Sequence, residues 1–357
     1  MKNATPWDQI DTPAACVDMN VAEANVRAYQ AYCDQHGLEL RPHIKTHKLP
    51  SLADYQIAQG AIGITCQKIS EAEAMLDGMQ TKDVDLLITY NILGAAKVAR
   101  LKALSQRCRL SVVADNATVI ADLAAGFDVS APLNVYVECN TGADRCGVSS
   151  AEAALQLADQ IAQAEGLRFA GLMTYPPAGQ IAEVRHWFAD AQAVFAAKGV
   201  AIPRITTGGS PDMWQAHEMD LADEVRVGTC VYNDRSLVER GTAKWQNCAL
   251  TVLATVVSVP AENRAVIDAG SKVLTSDLLG LNGHGAVLGR DDITIDSLSE
   301  EHGRLISDGP MNLQVGDKLR IVPNHVCVVV NMLDELVEIR DGQVIGPLPV
   351  AARGQVR

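Results

Sequence analysis

Several things are missing from this sequence, and each absence narrows its function. No run of about 18 apolar residues occurs, so no membrane-spanning helix is expected. No basic tail offsets the net charge of −13, which argues against a nucleic-acid or anionic-membrane partner, since such surfaces need clustered Lys and Arg. The opening stretch MKNATPWDQIDTP is polar and lacks the apolar segment of a secretory signal. The nine cysteines are odd in number and none forms a CxxC pair, so the expectation is a cytoplasmic protein with reduced thiols, most of them small buried hydrophobes. No GxGxxG follows the first strand-like segment, no repeat or low-complexity segment is visible, and no tyrosine occurs after Tyr232.

What is present is a long alternation. Between residue 38 and about residue 228, eight short β-branched segments alternate with helical patterns: 38–43, 61–65, 85–90, 109–114, 134–139, 168–174, 204–207 and 224–228. Capping boxes are expected at Asn20 with Glu23, Ser70 with Glu73 and Ser149 with Glu152, and Gly37, Gly78, Gly126, Gly166 and Gly199 sit where helix C-caps belong. The pattern fits an α/β chain folded as a (β/α)8 TIM barrel, with an open doubly wound sheet as the competing arrangement. After about residue 235 the texture becomes strand and turn, with Asp341-Gly342 as a hairpin signal and short helix suggested only around SLSEEHG. The expected domains are therefore a barrel over 19–235 and a C-terminal all-β domain over 236–357, joined by an N-terminal strand within 1–18, near AACVDM.

In such barrels the chemistry sits at the C-terminal ends of the strands. The first strand runs into RPHIKTHK (41–48), which places His43, Lys45 and His47 on one side by strand alternation and leaves Lys48 facing solvent. A lysine in a barrel mouth among other cations is disfavoured as an ammonium, the setting of a Schiff-base lysine. The same residues also fit a solvated basic loop or a simple anion-binding cluster. TTGGSPD follows the seventh strand and VGT the eighth. Thr207, Gly208, Gly209 and Ser210, with Gly228 and Thr229, have the character of a phosphate cradle built from glycine backbone and a helix N-terminus, although a Gly-Gly-Ser is often only a turn and cap. A lysine across the mouth from a phosphate site suggests pyridoxal 5′-phosphate (PLP), held at both ends. Far along the chain, VPNHVCVVVN reads as a strand on which His325 and Cys327, two apart, point the same way. Imidazole and thiolate so placed can hold Zn²⁺, though two ligands alone do not define a metal site.

As a set and in this order, RPHIKTHK, CQKISEAE (66–73), TGADRCGV (141–148), TGGSP and PNHVC (323–327) resemble the D-threonine aldolase and D-serine dehydratase family over nearly the whole chain. That family has the alanine-racemase-like PLP fold (fold type III), a barrel plus a C-terminal β domain. The resemblance implies that Lys45 carries PLP and moves the α-proton, that His43 lines the site, that Arg145 bonds the cofactor's phenolic oxygen and that Tyr175 lies beside its ring. It further implies Arg226 in the position of an arginine at the pyridine nitrogen. Arg145 could instead pair with Asp144 or Glu138, and Tyr175 could cap the core. The resemblance also makes His325 and Cys327 metal ligands, with Zn²⁺ favoured over Mn²⁺ or Mg²⁺ by the thiolate. His284 and His302 are possible neighbours, or turn and cap residues. The implied activity is a lyase on small D-configured β-hydroxy-α-amino acids, in a homodimer. The His-x-Cys pattern leans towards dehydration of a serine, threonine or 3-hydroxyaspartate type of substrate, with aldol cleavage as the alternative. A racemase of this fold that draws its second base from a tyrosine of the β domain is disfavoured, because the tyrosines end at Tyr232. A non-catalytic PLP carrier is disfavoured by the extra C-terminal domain.

Overall fold

The computed structural model describes residues 6–357; the first five residues of the N-terminal segment 1–18 lie outside them. The chain divides into two compact units. The first comprises Tyr29–Lys45, Pro50–Gly228 and Gln355–Arg357; the second comprises the residues up to Ala28, Thr46–Leu49 and Thr229–Gly354.

Among the described residues seventeen strands are numbered along the chain; the first, β1 (Ala14–Asp18), lies in the second unit. The first unit holds β2 (Glu39–Leu40), β3 (Ile64–Cys66), β4 (Asp85–Asn91), β5 (Arg109–Ala114), β6 (Leu133–Cys139), β7 (Leu167–Thr174), β8 (Ile205–Thr207) and β9 (Glu224–Val225). These eight form one parallel sheet in the order β2-β9-β8-β7-β6-β5-β4-β3. A parallel bridge between His43 and Thr65 joins its two ends, so the sheet closes into the expected barrel. Leu87, Val113, Tyr136 and Met173, on four successive strands, form one buried apolar cluster. A charged cluster around the buried Arg41 and Glu224 ties several strands together: Arg41 meets Glu224 at 3.0 Å and the partly exposed Asp85 at 2.5 Å, and the partly exposed Arg204 bonds both Glu39 and Glu224. The helix Ala151–Gln163 shows why these crossovers pack. Its buried positions Ala151, Ala154, Leu155 and Ala158 follow the helical repeat, and Leu155→Ala would cost roughly 2–5 kcal/mol.

The second unit is mainly antiparallel: β10 (Leu250–Ala261), β11 (Arg264–Ile267), β12 (Ala286–Val287), β13 (Thr294–Leu298), β14 (Gly303–Ile306), β15 (Lys318–Val322), β16 (Glu335–Arg340) and β17 (Gln343–Pro349). Strand β10 pairs with β15 and with β11, so six strands close a small barrel through β14, β13 and β12. Strand β1, anticipated from AACVDM, pairs with β10 and with β16 in this sheet. Asp341 and Gly342 make the hairpin between β16 and β17 with φ of 49° and 72°, as a two-residue turn of this type requires.

Local readings fail where packing or chain chemistry wins. The first barrel strand is shorter than 38–43, because Pro42 has no N–H for the ladder, and the chain passes through the His43 bridge into a 3₁₀ turn, Ile44–Thr46. Asp18, not Asn20, caps the first long helix, its Oδ1 accepting from the N–H groups of Asn20 and Val21. Ser150, not Ser149, caps Ala151–Gln163, and the helix Ile69–Gly78 has no side-chain cap at its N-cap residue, Lys68. Gly37 and Gly199 have the positive φ of C-caps; Gly78 and Gly126 are the last residues of their helices instead. SLSEEHG is not a helix: it spans the end of β13, the turn and the start of β14, and the Ser299 N–H donates to the His302 carbonyl.

Candidate active site

Strand alternation does not carry past His43, because Lys45 sits in the 3₁₀ turn Ile44–Thr46. The side chain of His43 is buried, with 7% of its surface exposed. The Lys45 N–H approaches its Nδ1 at 3.4 Å, and its Nε2 lies 3.2 Å from Gln67 Oε1. Gln67 donates its own amide to the Thr89 carbonyl, which turns Oε1 towards the imidazole. These partners assign the proton to Nε2. Burial holds the His43 pKa well below 6.5, helped by the charges of Lys45, Arg226 and Arg145. Three expected cofactor residues thus act electrostatically on one neutral histidine.

Arg226 is buried. Its Nε donates to Thr206 Oγ1 at 2.9 Å and another guanidinium nitrogen donates to the Thr174 carbonyl. Burial pulls its pKa down to about 10 against the opposing carboxylates of Glu224 and Glu138. Glu138 in turn is raised by burial, with Arg145 and Arg226 opposing the rise. Arg145 makes no ion pair with Asp144 or Glu138 among the described contacts; its guanidinium lies 4.5 Å over the Tyr175 ring. Tyr175 is 39% exposed and so is not a core cap.

Gly208 has φ +119°, and a Cβ there would meet the Arg226 backbone nitrogen at 2.9 Å. A Cβ on Gly209 would touch the Tyr175 ring at 3.5 Å. Gly209 is the N-cap of the 3₁₀ helix Ser210–Glu218, and Thr207 and Ser210 are buried beside it. Two glycines that let backbone approach a helix start, facing an aromatic ring among cations, fit a phosphorylated aromatic aldehyde such as PLP. Gly228 is buried and ends a stretch of the barrel unit. Thr229 belongs to the other unit, where its hydroxyl lies 3.9 Å from Cys327 Sγ.

The segment carrying His325 and Cys327 is not a strand. Strand β15 stops at Val322, and Val326–Met332 is a helix with His325 as its N-cap residue. VCVVVNM is β-branched and favours a strand locally. As a helix it buries Val326, Val329 and Val330 on one face, and the Val326 N–H finds Asp234 Oδ2 at 3.3 Å. His325 and Cys327 remain hydrogen-bonded neighbours in this geometry. Burial pulls the imidazole pKa down, but Cys327 and Asp234 outweigh it and push it up to about 11.

Sequence reasoning missed Asp234. It is fully buried; Oδ2 lies 2.9 Å from His325 Nδ1, while Oδ1 caps the helix Arg235–Glu239 through the Leu237 N–H. A carboxylate on Nδ1 fixes the ring and turns Nε2 outward, as behind many metal-binding histidines. The signal was the N-cap pattern NDRSLVE, which carries no mark of a second role. Thr46 was also missed, one residue after Lys45 in the chain, with Oγ1 3.3 Å from Cys327 Sγ. Lys48 faces the interior, not solvent: it is 5% exposed and its Nζ donates to Asn331 Oδ1 and the Ala352 carbonyl. Among the described residues no three His, Cys, Asp or Glu side chains converge as a metal-binding group. The donor set His325 and Cys327 with Asp234 behind it suits Zn²⁺, with further positions left for water or substrate. His284 Nδ1 is buried without a partner, and His302 is an exposed turn residue.

A closed parallel barrel joined to an antiparallel β-barrel, with a lysine, cations and a glycine cradle at the strand ends, defines the alanine-racemase-like class of PLP enzymes. Family models bear this out: "Alanine racemase, N-terminal domain" matches residues 17–236 and "Putative serine dehydratase domain" matches residues 249–339. D-threonine aldolase of Arthrobacter sp. is 35% identical over 98% of this chain and 94% of its own. D-threo-3-hydroxyaspartate dehydratase of Delftia sp. (strain HT23) is 30% identical over 89% of this chain and 91% of its own. The crystal structure of D-threonine aldolase from Filomicrobium marinum superposes with a TM-score of 0.88 at 32% identity, covering 98% of both chains. The chain therefore belongs to the D-threonine aldolase and D-serine dehydratase family of PLP-dependent lyases. Among the described residues no helix is long and apolar enough to cross a membrane.

Proposed function

We propose that the protein is a PLP- and metal-dependent lyase on small D-configured β-hydroxy-α-amino acids, acting by dehydration. The observation that carries this reading is the His325–Cys327 pair with the buried Asp234 carboxylate on His325 Nδ1. When bound, PLP delocalises negative charge at the substrate α-carbon, and a divalent metal draws electron density from the β-hydroxyl. Lys45 is the covalent holder of the cofactor and the amine that moves the proton at Cα. Arg145 and Tyr175 flank the cofactor, Thr207–Ser210 and Gly228 hold its phosphate, and Arg226 supplies a buried guanidinium. His43 stays neutral and bonded to Gln67, so it shapes the site without adding charge. His325 Nε2 and Cys327 Sγ hold the metal, Zn²⁺ in preference to Mn²⁺ or Mg²⁺. Loss of water leaves an enamine that tautomerises to an imine, and water hydrolyses the imine to a 2-oxo acid and ammonia.

A solved structure of a D-threo-3-hydroxyaspartate dehydratase with a cysteine replaced by alanine is in the metal-free form, which supports a cysteine ligand in that relative. The second reading, retro-aldol cleavage to glycine and an aldehyde, draws support from the 35% identity to a D-threonine aldolase. D-threonine supplied with PLP and Zn²⁺ or Mn²⁺ separates the two. 2-Oxobutyrate and ammonia support dehydration; glycine and acetaldehyde overturn it in favour of cleavage. We expect a homodimer, which light scattering tests.

A further inference from the structure

We propose that the segment Thr46–Leu49 couples the metal pair to Lys45, with Thr46 and Lys48 as positioning residues. The inference rests on the cofactor and metal reading above. Lys45 and Thr46 share the 3₁₀ turn Ile44–Thr46, so whatever fixes Thr46 also fixes the backbone of Lys45. Thr46 is fully buried and its Oγ1 lies 3.3 Å from Cys327 Sγ. Two residues later, Lys48 is buried with φ +54°, a left-handed conformation that a lysine keeps only where its surroundings impose it. Its Nζ donates to Asn331 Oδ1 at 2.8 Å and to the Ala352 carbonyl at 3.1 Å. Cys327 and Asn331 are four residues apart in the helix Val326–Met332, so they share one face a turn apart. The segment after Lys45 is therefore pinned at two points along the helix that begins at the metal pair.

A metal on Cys327 fixes its sulfur and, through it, the Thr46 hydroxyl and the turn that holds Lys45. A cofactor attached at Lys45 orders the same turn from the other side. Each ligand takes over part of the ordering cost of the other, which is positive linkage and must be reciprocal.

The test uses the full chain stripped of both ligands. PLP affinity is measured by titrating its protein-bound absorbance band with and without Zn²⁺. Zn²⁺ affinity is measured by competition with a chromophoric chelator, with and without PLP. The wild-type protein is expected to show each ligand tightening the other by the same factor, about fivefold or more. Thr46→Val keeps the shape and removes the hydroxyl; Lys48→Met removes the ammonium. Both should bring the factor towards one while each ligand still binds alone, and Thr46→Ser should restore it. A role in stability alone would not alter a reciprocal factor. A wild-type factor of one, or a Thr46→Val factor equal to wild type, overturns the proposal. Should either variant fail to fold, the wild-type cycle and Thr46→Ser still decide it. Wild-type protein that binds no PLP or no Zn²⁺ sinks the functional reading itself, and this inference with it.

Discussion

At the mouth of the parallel barrel, burial holds His43 neutral, helped by the charges of Lys45, Arg226 and Arg145. In the β unit a buried carboxylate, Asp234, and a cysteine sulfur act on another histidine, His325, and hold it protonated when no metal is bound. The residue type is the same; His43 is 7% exposed and the His325 side chain 24%, and deeper burial in one place against anionic neighbours in the other sets opposite charge states. The difference shows what each place is built to receive. Positive charge gathered around a neutral histidine suits an anionic group such as a phosphate. A histidine and a cysteine backed by a carboxylate hold excess electron density, which a divalent metal takes up.

The comparison breaks first at its covalent centre. Lys45→Ala should lower lyase activity by about a thousandfold or more, because attachment and proton transfer go together. It should also abolish the borohydride-sensitive absorbance band. A band that survives would move the attachment to another lysine. Next in size, Cys327→Ala should remove bound metal and activity in parallel, measured by metal analysis beside initial rates; full activity after chelation would end the metal half of the contrast. Asp234→Ala should weaken Zn²⁺ binding by about 10–100-fold through the loosened His325 ring. The same change removes the cap at Leu237 and should cost about 1 kcal/mol of stability, read from denaturant unfolding. Gly208→Ala places a Cβ against Arg226 in a left-handed backbone, and strain of roughly 1–2 kcal/mol should weaken PLP binding by about tenfold in a spectroscopic titration.

The smallest effect concerns pH. In the unfolded chain His43 binds a proton below its ordinary 6.5, whereas in the folded protein burial holds that event to a much lower pH. Between those two values the unfolded state binds more protons, so the contribution is full above pH 6.5 and is lost as pH falls. Thermal melts of the cofactor-free protein should therefore decline from pH 7 to 5, and His43→Gln should flatten the decline. An unchanged slope would mean that His43 is not the buried neutral group.

Much of the barrel was legible because its strands are short, apolar on both faces and separated by helical repeats, and because its chemistry falls where strands end. The stretch 109–114 was bounded correctly from its residues alone. The cap residues slipped by one or two positions, since Asp18 and Asn20, or Ser149 and Ser150, offer the same chemistry and only the entry path of the chain chooses between them. The segment after Pro323 was misread because five of the seven residues in VCVVVNM have either β-branched or thiol side chains that suit a strand equally well. Asp234 was invisible as a partner of His325 because 91 positions separate them.

The sequence by itself determined the alternation that closes a barrel, the order of the motifs and the residue types at its mouth. These are local matters of hydrophobic period, glycine and chain chemistry. Tertiary structure alone decided that VCVVVNM is a helix, that Lys48 turns inward, that Asp234 stands behind His325 and that Thr46 reaches Cys327. In each case burial and a satisfied polar group outweighed local preference. An unpaired carboxylate or ammonium inside the protein costs more than the few tenths of a kcal/mol by which propensities differ, so distant partners decide such positions.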